Sequence, residues 1–347
     1  QILTIPGDIA PDKAHKLVEC GGEVAPGVTV GDVCRVSKAV PLRLGDSQGN
    51  EFRVILRDLR LDDHDDTQPS PTPPTLRDMF TQTCCHVAKR GFFNFFGAQR
   101  VGRERAISSD EDQAQATGLY TTGLCLLQGN AAGAIDSLLS LDDPAAAAAA
   151  LEWRQTRDAR KTLALLPRRF DRQRIVLKNL VQYRDVDKAM MSVPHSVRSM
   201  WLSSYQSFIW NRAAAMRARL GLQVLKGDLI QCDGEAVTVC DSVEGCSASI
   251  FDVVLPLPGC SVIYPSHSVG ETMHNWLRDD GVSTQAMAAA KLCGAYRKLV
   301  AAPLQQTIDV EWVRDTPSLD VALRFRLASG QFATMLLREV LHTDTDL

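Results

Sequence analysis

GFFNFFGAQRVG, residues 91–102, places Phe92, Phe93, Phe95 and Phe96 around Asn94 and bounds the group with Gly91 and Gly97. Taken alone, a glycine-punctuated aromatic run of this kind reads as a core aromatic cluster at a turn. Its neighbours supply the elements on either side. Upstream, FRVILRDL (52–59) alternates Phe52, Val54 and Leu56 with Arg53, Ile55 and Arg57, which predicts a half-buried strand. DDHDDTQPSPTPPT (62–75) joins acidic residues to a proline run that forms neither helix nor central strand, and a helix is expected over about 76–90.

Downstream, the polar stretch 103–117 has no clear period. PAAAAAALEWRQTRDARKTLALL (144–166) opens with proline and continues in strong helix formers, predicting one helix. SSYQSFIWNRAAAMRARLG (203–221) has serine at its start, an apolar stripe at helical spacing and glycine at its end, predicting another. Between 224 and 263 the pattern changes to short β-like runs, so a small sheet is expected. TIDVEWV (307–313) and VALRFRL (321–327) alternate across a turn-rich link and predict a hairpin with Arg324 and Arg326 on its polar face. SGQFATMLLREVL (329–341) has helical period, which sets Thr334 and Arg338 one turn apart on one face.

The chain has 347 residues and is 45% hydrophobic, enough for two globular domains. No apolar run is long enough to span a bilayer, and QILTIPGD at the start lacks a basic region followed by an apolar one, so no membrane association is expected. Ten cysteines occur without a CxxC pair; Cys84, Cys85 and His86 are the nearest approach to a metal cluster and cannot complete one. Reduced thiols and an intracellular location follow, in nucleus or cytoplasm, with the mitochondrion left open. The formal net charge of −3 hides an asymmetry: residues 152–219 hold 15 Lys/Arg against 5 Asp/Glu, a surplus of 10. Such a segment is either a solvated helical face or a surface for a polyanion.

No Gly-rich phosphate loop follows a strand and no HExxH or GxSxG occurs, which removes the common nucleotide, zinc-protease and hydrolase readings. His195, His267 and His274 have no ligand partner at helical spacing and read as ordinary surface or core histidines. Composition and periodicity alone stop at an α/β protein with a basic helical region.

The motifs go further. GFFNFFGAQRVG resembles the asparagine–aromatic–aromatic–glycine–x–glutamine–arginine motif of TruD-type pseudouridine synthases, and LRLGDSQGNEFRVILRDL (42–59), SYQSFIWN (204–211), LPGCSVIYP (257–265), GAYRKL (294–299) and SGQFATMLLREV (329–340) fall in that family's order. YQSFIWN, VIYP and GAYRK look like its eukaryotic branch. The resemblance implies an α/β (α+β) fold: a catalytic domain with a mixed, largely antiparallel sheet over 1–105 and 292–347, interrupted by a mostly helical insertion over 106–291. It also implies isomerisation of uridine in RNA, tRNA foremost, through base flipping, by a monomer that needs no metal or organic cofactor.

By that resemblance Phe96 packs on the flipped uracil, Asn94 holds the carboxylate or ribose, Phe95 supports from below and Arg338 pairs with the catalytic aspartate. Gln99, Arg100 and Asn50 belong to matched motifs without derivable roles, and Arg168, Arg169, Arg172 and Arg174 in the basic segment are expected on RNA phosphates. The family's Gly-x-Lys-Asp-x-x-Ala-x-Thr-x-Gln element, whose aspartate is nucleophile or base, is matched only from Gln1 onward; Asp12 and Lys13 lack its glycine and threonine. The aspartate is therefore expected upstream of this chain, with Gln1–Ile5 a strand leading toward the cleft, and the chain by itself is expected to be inactive. The alternative is a catalytically inactive RNA-binding paralogue acting as an RNA chaperone or ribosome-assembly factor.

Overall fold

A computed structural model describes residues 48–60, 75–102, 118–141, 143–232, 235–314 and 319–342, with the backbone of 23–25 and 28–29. The strand expected at Gln1–Ile5, the loop at 62–75 apart from Thr75, and the polar stretch 103–117 lie outside these residues. Two units divide the chain, the smaller being residues 1–51 with 328–330. In it β1 (Glu23–Ala25) pairs antiparallel with β2 (Val28–Thr29), the Ser329 N–H donates to the Gln48 carbonyl at 3.3 Å, and Asn50 is exposed.

The larger unit begins in β3 (Gly49–Leu59), followed by α1 (Leu76–Arg90), β4 (Phe92–Phe93) and α2 (Ala98–Val101). A helical stretch follows: α3 (Leu119–Leu127), α4 (Ala131–Leu139), α5 (Ala147–Thr156), α6 (Ala159–Leu165), α7 (Asp171–Tyr183), α8 (Val186–Met191) and α9 (His195–Arg219). Then come β5 (Leu229–Ile230), β6 (Thr238–Val239), β7 (Val253–Leu257), α10 (Ser268–Asp279), α11 (Thr284–Ala289), β8 (Ala295–Lys298), β9 (Val300–Ala301), β10 (Ile308–Arg314), β11 (Leu319–Ala328) and α12 (Ala333–Leu341).

The alternation in FRVILRDL survives folding: Phe52, Val54 and Leu56 face the covered side of β3, with Arg53, Ile55 and Arg57 exposed. The predicted hairpin is present, β10 antiparallel to β11 with Phe325 opposite Ile308, and Arg324 and Arg326 are both exposed. β3 joins β11 to give the order β10–β11–β3. Helices α1 and α12 bury Phe80, Cys84, Leu336 and Val340 in the same core as Val321, Leu323 and Phe325. A second core lies within the helical stretch, where Ile135, Leu138, Trp153, Val176, Leu177 and Met190 interlock. The third forms where α9 meets the sheet β6–β5–β7–β8, burying Tyr205, Ile209, Trp210, Val253 and Leu255 with Met273 and Leu277 of α10.

Three predicted helices have different limits from those expected. The single helix over 144–166 is broken: a 3-10 turn at Pro144–Ala146 leads into α5, and Arg157 then takes a left-handed conformation (φ 56°). The carboxylate of Asp158 accepts the N–H groups of Arg160 and Lys161 at 2.9 and 3.1 Å and starts α6 afresh. An aspartate able to cap outcompetes the high helix propensity of the flanking alanines. The helix expected from Ser203 starts instead at His195; burial of Trp201 and Leu202 extends it, and Ser203 donates to the Ser199 carbonyl at 2.7 Å within the helix. α12 starts at Ala333, four residues after Ser329.

One charged group is wholly buried beneath this architecture. Arg217 of α9 donates from Nε and Nη2 to both carboxylate oxygens of Asp228 at 2.7 Å and to the carbonyls of Gly221 and Gln223 at 2.7 and 2.5 Å. His267 Nε2 lies 3.0 Å from Asp228, and the Leu225 N–H donates to it at 2.7 Å. Burial pushes the Asp228 carboxyl up, but the hydrogen bonds from Arg217, His267 and Leu225 outweigh it and hold the pKa at about 2. Replacing Asp228 by asparagine leaves Arg217 as an uncompensated buried cation, so Asp228→Asn should cost about 3–5 kcal/mol at neutral pH in a denaturant titration. Because the folded pKa is depressed below the unfolded value of about 3.9, this stabilisation is complete above that value and fades as pH falls toward 2. The melting curves of parent and variant should therefore converge over that window.

Candidate active site

The aromatic run becomes a rigid loop because its glycines and asparagine are each held. At the end of α1, Gly91 takes φ 75°, and a Cβ there would meet the Ala301 carbonyl oxygen at 2.4 Å. This lets β4 pair antiparallel with β9, Phe92 opposite Ala301 and Phe93 opposite Val300. Asn94 continues the pairing: its N–H donates to the Leu299 carbonyl at 3.0 Å and its Nδ2 to the Lys298 carbonyl at 3.2 Å. Arg297 of β8 replies, Nε donating to the Asn94 carbonyl at 2.8 Å and Nη2 to its Oδ1 at 2.6 Å. Asn94 is thus buried and fully engaged in ordering the loop.

Phe96 is held from the opposite side. Asn211 of α9 accepts its N–H at 2.9 Å and donates to its carbonyl at 2.8 Å, the same two contacts a paired strand would supply. The Phe96 ring meets Trp210 edge-on at 5.7 Å and tilts against Phe332, just before α12, at 5.9 Å. The Arg297 guanidinium sits over the ring at 4.0 Å, and that of Arg100 at 5.9 Å. Arg100 is steadied by α9, donating from Nε to Ser207 Oγ at 3.3 Å. Burial, then the charge of Arg100, pulls the Arg297 pKa down to about 9, so it remains a cation at neutral pH. Two guanidinium groups converging on one half-buried aromatic ring make a positively charged aromatic cluster suited to a planar group bearing, or lying next to, an anion.

The expected residues fall into three places. Asn94, Phe95, Phe96 and Arg100 form this cluster, with Phe95 half-buried against Phe93 and Trp210. Arg338 lies two turns along α12 from Phe332, on the same helix that meets Phe96 and reaches Gly97 through Thr334 and Met335. Gln99 is exposed on α2, and Asn50 is exposed in the smaller unit.

The arginines of the basic segment divide. Arg168 and Arg172 are exposed, whereas Arg169 forms a two-point contact with Asp143 at 2.6 and 2.7 Å and lies over Phe170. Arg174 donates to the Leu163 and Leu166 carbonyls at 3.1 and 2.5 Å, satisfying the last turn of α6. Its guanidinium is therefore occupied by backbone. Arg297, Asn211, Trp210 and Phe332 were given no role by sequence reasoning, although each stands inside a quoted block; the only available signal was that block membership. Among the described residues no group of His, Cys, Asp and Glu could hold a metal ion, and no helix is long and apolar enough to cross a membrane.

A family model for TruD, tRNA pseudouridine synthase D, matches residues 1–340. The chain belongs to the TruD family. It is 30% identical over 337 residues to human pseudouridylate synthase PUS7L, covering 87% of this chain and 46% of that protein. To multisubstrate pseudouridine synthase 7 of Schizosaccharomyces pombe it is 27% identical, covering 88% of the chain and 50% of the relative. A solved TruD structure from Methanosarcina mazei superposes with a TM-score of 0.62 at 20% identity, covering 86% of this chain and 70% of the other, and the α/β fold is shared. The chain spans about half the length of these curated relatives. The eukaryotic character read from YQSFIWN, VIYP and GAYRK agrees with them.

The Asn211 clamp has a measurable weight. Asn211→Ala removes both hydrogen bonds to Phe96 and leaves its partly buried N–H and carbonyl unpaired, so urea unfolding should show a loss of about 1–3 kcal/mol. Gln99→Ala, at an exposed position, should stay within about 0.5 kcal/mol of the parent.

Proposed function

We propose that this chain belongs to a uridine-to-pseudouridine isomerase acting on RNA, tRNA foremost. The observation that carries this reading is the Phe96 cluster, an aromatic ring fixed through its own backbone by Asn211 with the guanidinium of Arg297 over it. In the reaction the bond from uracil N1 to C1′ breaks, the uracil turns, C5 bonds to C1′, and the C5 proton is lost while N1 gains one. The chemistry requires a base taken out of its stack, a flat surface to hold it and a carboxylate kept ionised at the ribose. Phe96 supplies the surface, Asn94 fixes the loop that carries it, and Arg297 and Arg100 provide positive charge. Arg338, half-buried on α12, is the further candidate for pairing with the carboxylate.

The aspartate of the family motif has no match within residues 1–347, so the chain alone should bind RNA without isomerising it. We read 106–291 as an insertion in a catalytic domain of 1–105 and 292–347; the helical core supports this for the first part of that segment, whereas β7 pairs with β8 across its later limit. RNA as substrate supports an intracellular location, in nucleus or cytoplasm.

Expression of this chain and of a longer product of the same reading frame, with pseudouridine read by mass spectrometry of digested tRNA, tests the reading directly. RNA binding by both and product from the longer protein only is expected; product from the 347-residue chain would refute the missing-carboxylate claim, and failure of both to bind RNA would refute the function. In the longer protein, Phe96→Ala and Arg297→Met should lower turnover by on the order of a hundredfold while RNA affinity changes little. Arg168→Glu with Arg172→Glu should weaken RNA binding and flatten its salt dependence. Arg174→Glu should instead lower stability, because its guanidinium serves carbonyls.

A further inference from the structure

The helical stretch contains an open cavity of about 790 Å³, none of whose lining residues belongs to the Phe96 cluster. Ile135, Leu180 and Val181 give it an apolar floor, and Trp153 forms a wall. Arg157, Arg160 and Arg184 stand around its rim. Arg157 lies over the Trp153 indole at 5.3 Å, and its Nη1 pairs with Asp136, which also accepts the Trp153 Nε1–H at 2.9 Å. The guanidinium is therefore held beside the indole through a shared carboxylate.

The other charges at the rim are arranged asymmetrically. Asp136 is engaged with Arg157 and Trp153, and Asp158 accepts the Arg160 and Lys161 N–H groups at the start of α6. Arg160 and Arg184 are exposed, and Arg160 acts electrostatically on Asp158 from within the same lining. Three arginines thus face two carboxylates at this cavity. Two of the arginines also sit where their backbone is costly: Arg157 and Arg184 end α5 and α7 in the left-handed region, at φ 56° and 54°, where glycine or asparagine is the cheaper residue.

We infer that this cavity is a second RNA-binding site, which takes one unpaired nucleotide with its base stacked on Arg157 and its flanking phosphates on Arg160 and Arg184. The inference rests on the RNA reading above and extends it. The chemistry argues for a nucleotide: apolar lining takes one base edge, a guanidinium beside an indole offers a cationic face to a base, and exposed arginines suit a phosphodiester. Arg168 and Arg172, exposed in the same helical stretch, add positive charge for a polyanion.

The test compares oligouridylate with an abasic ribose-phosphate chain of equal length, which keeps the charge and removes the bases. Fluorescence anisotropy would be followed across a salt series, with circular dichroism melts as the check on folding. Ala132, exposed at the cavity, is replaced by tryptophan to fill it without altering charge. Ala132→Trp should cut the preference for oligouridylate over the abasic chain about tenfold with Phe96 intact, and leave abasic binding unchanged. Arg160→Glu with Arg184→Glu should weaken both ligands and reduce the salt slope by about 1.4, at roughly 0.7 per single-strand phosphate. An unchanged base preference in Ala132→Trp, or an unchanged slope in the double variant, overturns the site while RNA binding elsewhere survives. An acidic, leucine-containing peptide that loses binding in both variants while oligouridylate does not would assign the cavity to a protein partner and overturn it as well. Absence of any RNA binding by the parent chain would instead strike the functional reading itself.

Discussion

The side-chain amide of Asn211 accepts the Phe96 N–H and donates to the Phe96 carbonyl, and this two-point lock joins the loop 94–97 to the longest helix among the described residues. That helix serves more than one core. Trp201 lies with the helical cluster, whereas Tyr205, Ile209 and Trp210 lie with the sheet β6–β5–β7–β8. The Trp210 indole donates to the Leu255 carbonyl at 3.1 Å, so the helix is keyed to β7 one residue before Asn211. A loop carrying Phe95 and Phe96 gains its fixed geometry from the elements on which it is pinned rather than from any regular structure of its own.

Electrostatics follow from this placement. β8 delivers Arg297 to the loop from one side and α9 steadies Arg100 from the other, so two cations meet over one ring. Bringing like charges together in a partly buried place costs free energy, which the hydrogen bonds to Asn94 and the ring faces of Phe96, Trp210 and Phe332 offset. An arrangement of this sort favours an anionic or electron-rich occupant. The buried Arg217–Asp228 pair is the opposite case: every polar atom near it is matched, and it anchors the end of α9 without chemistry to perform.

The helical stretch shows why a count of charges is a poor guide to partners. Of its arginines, Arg174 and Arg198 satisfy carbonyls, Arg169 pairs with Asp143 and Arg217 with Asp228. Arg160, Arg168, Arg172 and Arg184 remain exposed. Any polyanion path across this surface is therefore carried by a subset of the positive charges, selected by where helices end and which carbonyls need a donor.

Local pattern determined a good deal. The alternation in β3, β10 and β11, the helix at 76–90 and the amphipathic α12 follow from periods of two and 3.6 and from the capping Thr75, all properties of neighbouring residues. The ordered motifs determined the family. Tertiary structure decided the rest. The break at Arg157 came from a competing cap, and the early start of α9 from burial of Trp201 and Leu202, neither of which a window of helix formers contains. The site was half legible: Asn94, Phe95, Phe96 and Arg100 lie in one continuous motif, whereas Arg297, Asn211 and Phe332 are brought to it from three other parts of the chain. Which arginine covers the ring is a matter of hydrogen bonds between residues about two hundred positions apart, and no local period encodes a contact that only the assembled sheet and helix create.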